Sequence, residues 1–245
     1  SASLGFSPDD VLVDLCRGMD LSAEPVERVW GELKRTLLSA EPGRGLQALV
    51  DFQKLDSVLP ELEAAGVPAL AAALRRAVVH RDKLLDQSGA IVVMLAVLLQ
   101  AVPPAQRSAL LVRFKIIRPG GVPVRKITLA LAGRLPLNTP PTDSVLRHLS
   151  ELAPMAWILA VASALDPQLN HGSLEKKCED LDLMGGPLPT LLKGQDLQDA
   201  GISPGPEMGK AILALRKVQL DGVLSSRDQA LNWLTAYVAS SSKVR

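Results

Sequence analysis

Aromatic residues are nearly missing from this chain: 245 residues include three Phe, three Trp and one Tyr. A core with so few rings must be filled by Leu, Val, Ile and Ala, which favours packed helices, and no stretch alternates apolar and polar residues as a half-buried strand would. The expected fold class is therefore all-α, an irregular array of helices. The length suffices for one large domain or two smaller ones packed together. Cysteine is scarce too. Cys16 and Cys178 stand far apart, without a CxxC or a neighbouring histidine, so no disulfide framework, no metal and no cofactor is expected. Long uncharged runs are equally rare. The longest, residues 87–106, is interrupted by Gln100 and the Pro103–Pro104 pair, so it reads as a buried core helix, and no membrane partner is expected. No charged and then apolar leader opens the sequence, so no secretory signal is expected; an intracellular site, including an organellar matrix such as the mitochondrial one, stays open.

The most informative absence is that of acid. Residues 1–65 carry twelve acidic and six basic side chains, whereas residues 87–142 hold no Asp or Glu at all. That second stretch contains Arg107, Arg113, Lys115, Arg118, Arg125, Lys126 and Arg134. Seven unmatched cations repel one another unless they are solvated, paired in space with the acidic N-terminal segment, or matched by an external polyanion such as a nucleic-acid backbone. Phe114 is the one aromatic residue in the run, so base stacking is not its chemistry; phosphate or shape recognition of structured RNA is.

Helix signals recur along the chain. Ser7 and Pro8, followed by Asp9 and Asp10, suit the start of a helix ending near Cys16. A second follows Ser22, with Glu24 and Pro25 in its first turn and an apolar stripe through Val26, Val29, Trp30, Leu33 and Leu37. A third opens at Pro42 and ends near Phe52. A short turn of helix is expected over Leu55–Leu62, and a long helix after Gly66–Val67–Pro68. Others are expected at Ala90–Gln100, Pro104–Phe114, Val124–Ala132, Ser144–Leu152 and Met155–Leu165. Residues 166–177 read as a polar connection. His80–Arg81–Asp82 lies in a helical pattern and reads as an exposed charged face. Asp180–Leu181–Asp182 with Gly185–Gly186 lacks the strand context of a metal site.

The last third changes texture, with five Gly and four Pro between Gly185 and Pro206. Its most specific string is Leu192–Lys193–Gly194–Gln195–Asp196–Leu197, then Gly201–Ile202, then Pro204–Gly205–Pro206–Glu207–Met208–Gly209–Lys210. Two short helices about a tight turn are expected, with Gly201 suited to a positive-φ C-cap and the turn feeding a helix N-terminus able to cradle phosphate. Lys193, Gly205, Gly209 and Lys210 are the candidate RNA contacts here. A closing helix is expected after Ser225 or Ser226.

That string resembles the C-terminal motif of class II tRNA nucleotidyltransferases (CCA-adding enzymes) and the related bacterial poly(A) polymerases. A second similarity, in the same order as in the family, runs through Glu27–Arg28, Glu32–Leu33, Leu37–Leu38–Ser39, Pro42 and Val58–Leu59–Pro60–Glu61–Leu62. The resemblance implies a neck-like segment over 1–66, a basic body over 67–170 and a tail module over 171–245. It also implies a catalytic head bearing Gly-Gly, Asp-x-Asp, Arg-Arg-Asp and Glu-Asp-x-x-Arg elements; this sequence has neither of the last two, and its Asp180–Leu181–Asp182 and Gly185–Gly186 stand in the reverse order with no strand around them. Without them the carboxylates and metal ions of nucleotidyl transfer have no seat, and no catalytic residue is expected. Three readings follow: a non-catalytic RNA-binding or scaffolding protein of a ribonucleoprotein such as an organellar ribosome, binding tRNA or rRNA and other proteins; the tRNA-binding part of an active enzyme; or a protein-binding helical adaptor.

Overall fold

The computed structural model describes residues 9–21, 23–84, 87–116, 122–135 and 141–241. Among them every regular element is a helix, in agreement with the composition. No single helix among them is long and apolar enough to cross a membrane. The chain divides into two compact units, residues 1–140 with 156–175, and residues 141–155 with 176–245.

In the first unit α1 (Asp10–Gly18) is capped by Asp9, whose Oδ1 accepts from the Leu12 N–H at 2.8 Å. The cap is thus Asp9 rather than Ser7, which with Pro8 and Ser22 lies outside the described residues. α2 (Val26–Leu38) has Pro25 as its N-cap rather than within its first turn, whereas α3 (Pro42–Asp51) opens on Pro42 as expected. α4 (Leu55–Val58) and a 3-10 turn at Ala64–Gly66 lead into α5 (Val67–Arg81). α6 (Gln87–Gln100) forms the centre: every side chain from Ile91 to Leu99 is at most 3% exposed. A helix apolar on all sides must be covered on all sides, and α2, α5 and α8 (Val124–Arg134) pack around it. α7 (Pro104–Arg113) lies against α8. Two glycines set helix spacing. A Cβ on Gly43 of α3 would lie 2.7 Å from Ala71 Cβ of α5, and one on Gly89 of α6 would lie 2.4 Å from Trp157 Nε1 of α10 (Met155–Leu165).

Arg81 departs from the expected exposed face. Only 6% of it is accessible. Its Nη1 donates to the carbonyls of Leu37 and Ser39 at 3.0 and 2.9 Å, and Asp82 supplies the counter-charge. The C-terminal carbonyls of α2 need donors once buried, and a guanidinium on α5 supplies them while its charge offsets the negative end of the α2 dipole.

In the second unit α9 (Asp143–Ser150) is capped by Thr142, followed after the connection by the later part of α11 (His171–Asp180), then α12 (Gly194–Asp199), α13 (Pro206–Leu220) and α14 (Arg227–Ser241). Residues 171–177, expected as part of the connection over 166–177, lie in α11 instead: Leu174 and Cys178, one turn apart, are both buried, and Asn170 Oδ1 accepts from Ser173 N–H at 3.0 Å. Neither cysteine forms a disulfide among the described residues, and Cys178 is buried. Leu192, Leu197, Ala211, Leu215, Leu224, Ala230 and Leu234 form this unit's own core. Polar ties fix its rim. Arg216 of α13 reaches Glu151 Oε1 and the Leu188 carbonyl, each at 2.6 Å, and buried Gln219 donates to the Pro189 carbonyl at 2.7 Å.

Candidate nucleic-acid interface

The seven cations of the acid-free stretch separate into two groups. Those on and after α7 turn to protein. Arg107 is half-buried: Nε donates to the Val102 carbonyl at 3.0 Å and Nη1 to that of Ala132 at 2.8 Å. Burial pulls its pKa below the ordinary guanidinium value, and its bonds close the ends of neighbouring helices. Arg113 pairs with Glu61 at 2.8 Å, donates to the Val58 carbonyl at 3.2 Å and lies 4.3 Å over the Phe114 ring. Phe114 is itself 2% exposed and packs on Trp30 with ring centroids 5.9 Å apart, so the one aromatic of the stretch is spent in the core. Lys115, at φ +54°, meets Glu27 in an exposed ion pair. Glu27 is held below its ordinary carboxylate value by the hydrogen bond from Lys115, reinforced by its backbone and the charge.

Of those on α8, Lys126 and Arg134 turn outward. Arg125 is half-buried and donates to Ser108 Oγ at 2.7 Å. Lys126 and Arg134 are exposed, with no ion pair or hydrogen bond among the described residues; eight positions apart, they share one side of the helix. Arg118 lies outside the described residues. Arg75 of α5, outside the acid-free stretch, is exposed and likewise carries no ion pair among the described residues. Sequence reasoning did not single it out because it lies outside the acid-free stretch; its own helix face was the usable signal.

The C-terminal motif forms a helix, a tight turn and a longer helix. The Lys193 N–H donates to Asp196 Oδ2 at 2.7 Å, and Arg227 of α14 donates to Asp196 Oδ1 at 2.5 Å. These bonds, the one from Arg227 foremost, hold the Asp196 carboxyl below its usual range. Gly201 takes φ +89° at the end of α12 and Gly205 φ +146° at the N-cap of α13. The side chain of Lys193, Gly205, Gly209 and Lys210 are all exposed, and a Cβ on either Gly205 or Gly209 would meet nothing within 4 Å. Lys210 pairs with Glu207 of the same helix at 2.8 Å, a solvent-screened contact that raises the Lys210 pKa. The first turn of α13 thus presents bare backbone to solvent. Gly222 takes φ +82°, which is what calls for glycine there; a Cβ would meet only the movable end of the Arg147 side chain.

This arrangement offers guanidinium, ammonium and backbone N–H groups, the donors that meet phosphate oxygens. Among the described residues no group of three or more His, Cys, Asp or Glu is placed to hold a metal ion.

Parts of the chain match known proteins. Residues 18–65 match the family described as "Probable RNA and SrmB- binding site of polymerase A". Over 75 residues the chain is 43% identical to a multifunctional CCA protein of Stenotrophomonas maltophilia (strain R551-3), covering 29% of this chain and 18% of that protein. Over 121 residues it is 35% identical to the CCA-adding enzyme of Pseudomonas putida (strain W619), covering 48% of this chain and 30% of the enzyme. A multifunctional CCA protein of Xanthomonas axonopodis pv. citri (strain 306) is 40% identical over 75 residues. The chain is therefore related to the tRNA nucleotidyltransferases and poly(A) polymerases in their neck and body region, while the matched stretches span less than a third of those relatives. No solved structure gives a significant match.

Proposed function

We propose that this chain is a non-catalytic RNA-binding protein that grips structured RNA, a tRNA or an rRNA, through its phosphate backbone, and that it serves as a scaffold within a ribonucleoprotein such as the mitochondrial ribosome. The observation that carries the reading is the joint presence of a matched RNA-binding region at residues 18–65 and two uncommitted cations, Lys126 and Arg134, on one face of α8. Arg118 and Arg125, with the exposed first turn of α13 at Gly205, Gly209, Lys210 and the nearby Lys193, extend the candidate contacts. Arg107, Arg113 and Lys115 are withdrawn from the first rank because protein groups already hold them.

Titration of the chain into fluorescently labelled tRNA and rRNA fragments at rising salt tests this. Binding should weaken linearly in log K against log salt, and a chain with no affinity for either RNA at low salt would end the proposal. A second reading is favoured by the relatives themselves: this chain is the RNA-binding portion of a CCA-adding enzyme whose head lies elsewhere. The mass of the native polypeptide separates the two. A mature species near 26.1 kDa supports the first reading, and a much larger one the second.

A further inference from the structure

His80 lies at the end of α5 and His171 at the start of α11, and the structure stacks their rings with centroids 4.3 Å apart and planes inclined by 35°. Three further groups set the surroundings. Ser163 of α10 places its Oγ 2.7 Å from His171 Nδ1. Glu175, one turn further along α11, lies 3.9 Å from His171 Nε2. Arg76, one turn before His80 on α5, is occupied by the Ala164 carbonyl at 2.8 Å, closing the end of α10. The charges acting on His80 are those of His171 and Glu175 on α11 and of Lys83 just after α5. Both rings are half-buried.

This cluster accommodates one proton well. A hydroxyl can donate to a neutral Nδ1 or accept from a protonated one, and Glu175 is placed to balance a charged His171. A second proton has no such partner. It would put two cations with ring centroids 4.3 Å apart in a half-buried place, with Lys83 adding a third positive charge and Glu175 opposing them.

We propose that the His80–His171 stack is a pH-sensitive latch that holds the first turns of α11 against α5 and α10, closed while at most one ring is protonated and released when both are. Burial, then the His171 and Lys83 charges, depress the His80 pKa below 6.5 in the folded chain. A depressed histidine contributes stability that is complete above its unfolded value and is lost as pH falls through the folded one, so release runs downward from about pH 6.5. His148, the remaining histidine, sits instead against Asp221 in the second unit.

Hydrogen exchange of the whole chain, normalised to unfolded rates, reads the latch directly. Protection of the amides in residues 166–175 should fall between about pH 7.5 and pH 5, by about tenfold for each unit by which His80 is depressed. His80→Phe keeps a ring but cannot be protonated, so its protection there should be flat across that range, while His148→Gln should behave as the wild type. A wild-type profile without pH dependence, or a His80→Phe profile that still falls, overturns the latch. Should His80→Phe fail to fold, the wild-type imidazole proton resonances decide: a His80 midpoint below 6.5 supports the latch, and one at or above it overturns it.

Discussion

The α7 and α8 ends of one basic stretch use their charge in opposite ways. After α7, Arg113 and Lys115 meet Glu61 and Glu27, acids from the segment that matches the RNA-binding region. On α8, Lys126 and Arg134 meet none of the described residues. The acid-rich beginning and the acid-free middle are thus partly two halves of one neutralised contact, and only the remainder is free for an external anion. A charge run in sequence counts cations, whereas a binding surface depends on cations left unpaired after folding.

The hardest test of that contrast is Arg113→Ala. It leaves the Glu61 carboxylate, at 12% side-chain exposure, and the Val58 carbonyl without their donor, and should cost about 2–3 kcal/mol in urea unfolding. The salt slope of RNA binding should stay unchanged. Lost affinity with unchanged stability would place Arg113 on the RNA and dissolve the contrast. The converse test is the double variant Lys126→Ala/Arg134→Ala. Its stability should stay within about 0.5 kcal/mol of wild type, yet RNA affinity should fall about tenfold near 0.1 M salt, and the slope of log K against log salt should become shallower by about two.

Next in size is Gly205→Ala. At φ +146° an L-residue is strained by about 1–3 kcal/mol, although space for the Cβ is open. Calorimetry should show a modest drop in Tm, with RNA affinity reduced if the first turn of α13 carries phosphate. An unchanged affinity would restrict the interface to α8.

Much of the fold was legible because the chain marks its helices locally. Pro42 opens α3 as expected, and Met155–Leu165 has the bounds its apolar run implied. α11 was not legible in the same way. Its buried side is two residues wide, Leu174 and Cys178, and the rest is polar, so periodicity had little to register; Asn170 as a cap was the available signal. The sign of each candidate cation could be read from sequence, but its partner could not. Glu61 lies 52 positions from Arg113 and Glu27 lies 88 from Lys115, and no local pattern spans such distances. The same limit put Arg81 on the surface in expectation and inside the first unit in fact, since its acceptors belong to α2.

The smallest expected effect comes from the pair that stands between the two groups. Glu27 and Lys115 are both exposed, at 60% and 66% of their side chains, so their attraction is screened and breaking it should barely move stability. Its consequence for binding has a definite sign. Glu27→Gln removes the acid that holds Lys115 while leaving shape and hydrogen-bonding capacity nearly intact, so Lys115 joins Lys126 and Arg134 as an available cation. RNA affinity should rise by about two- to threefold at low salt and return to the wild-type value near 0.5 M, where the Debye length is only a few ångströms. Acidification offers the same change without mutation. With its pKa lowered by Lys115, Glu27 keeps the pair intact above its ordinary 4.5 and releases it as pH falls through the lower folded value. Asp196, lowered chiefly by Arg227, and Asp221, lowered chiefly by His148, likewise lose their contributions below their ordinary 3.8. A gain in affinity for Glu27→Gln at neutral pH therefore isolates Lys115 from the acid-labile ties of the second unit. An unchanged or weaker affinity would mean that Lys115 faces no phosphate even when freed, leaving α8 as the basic face of the first unit that binds.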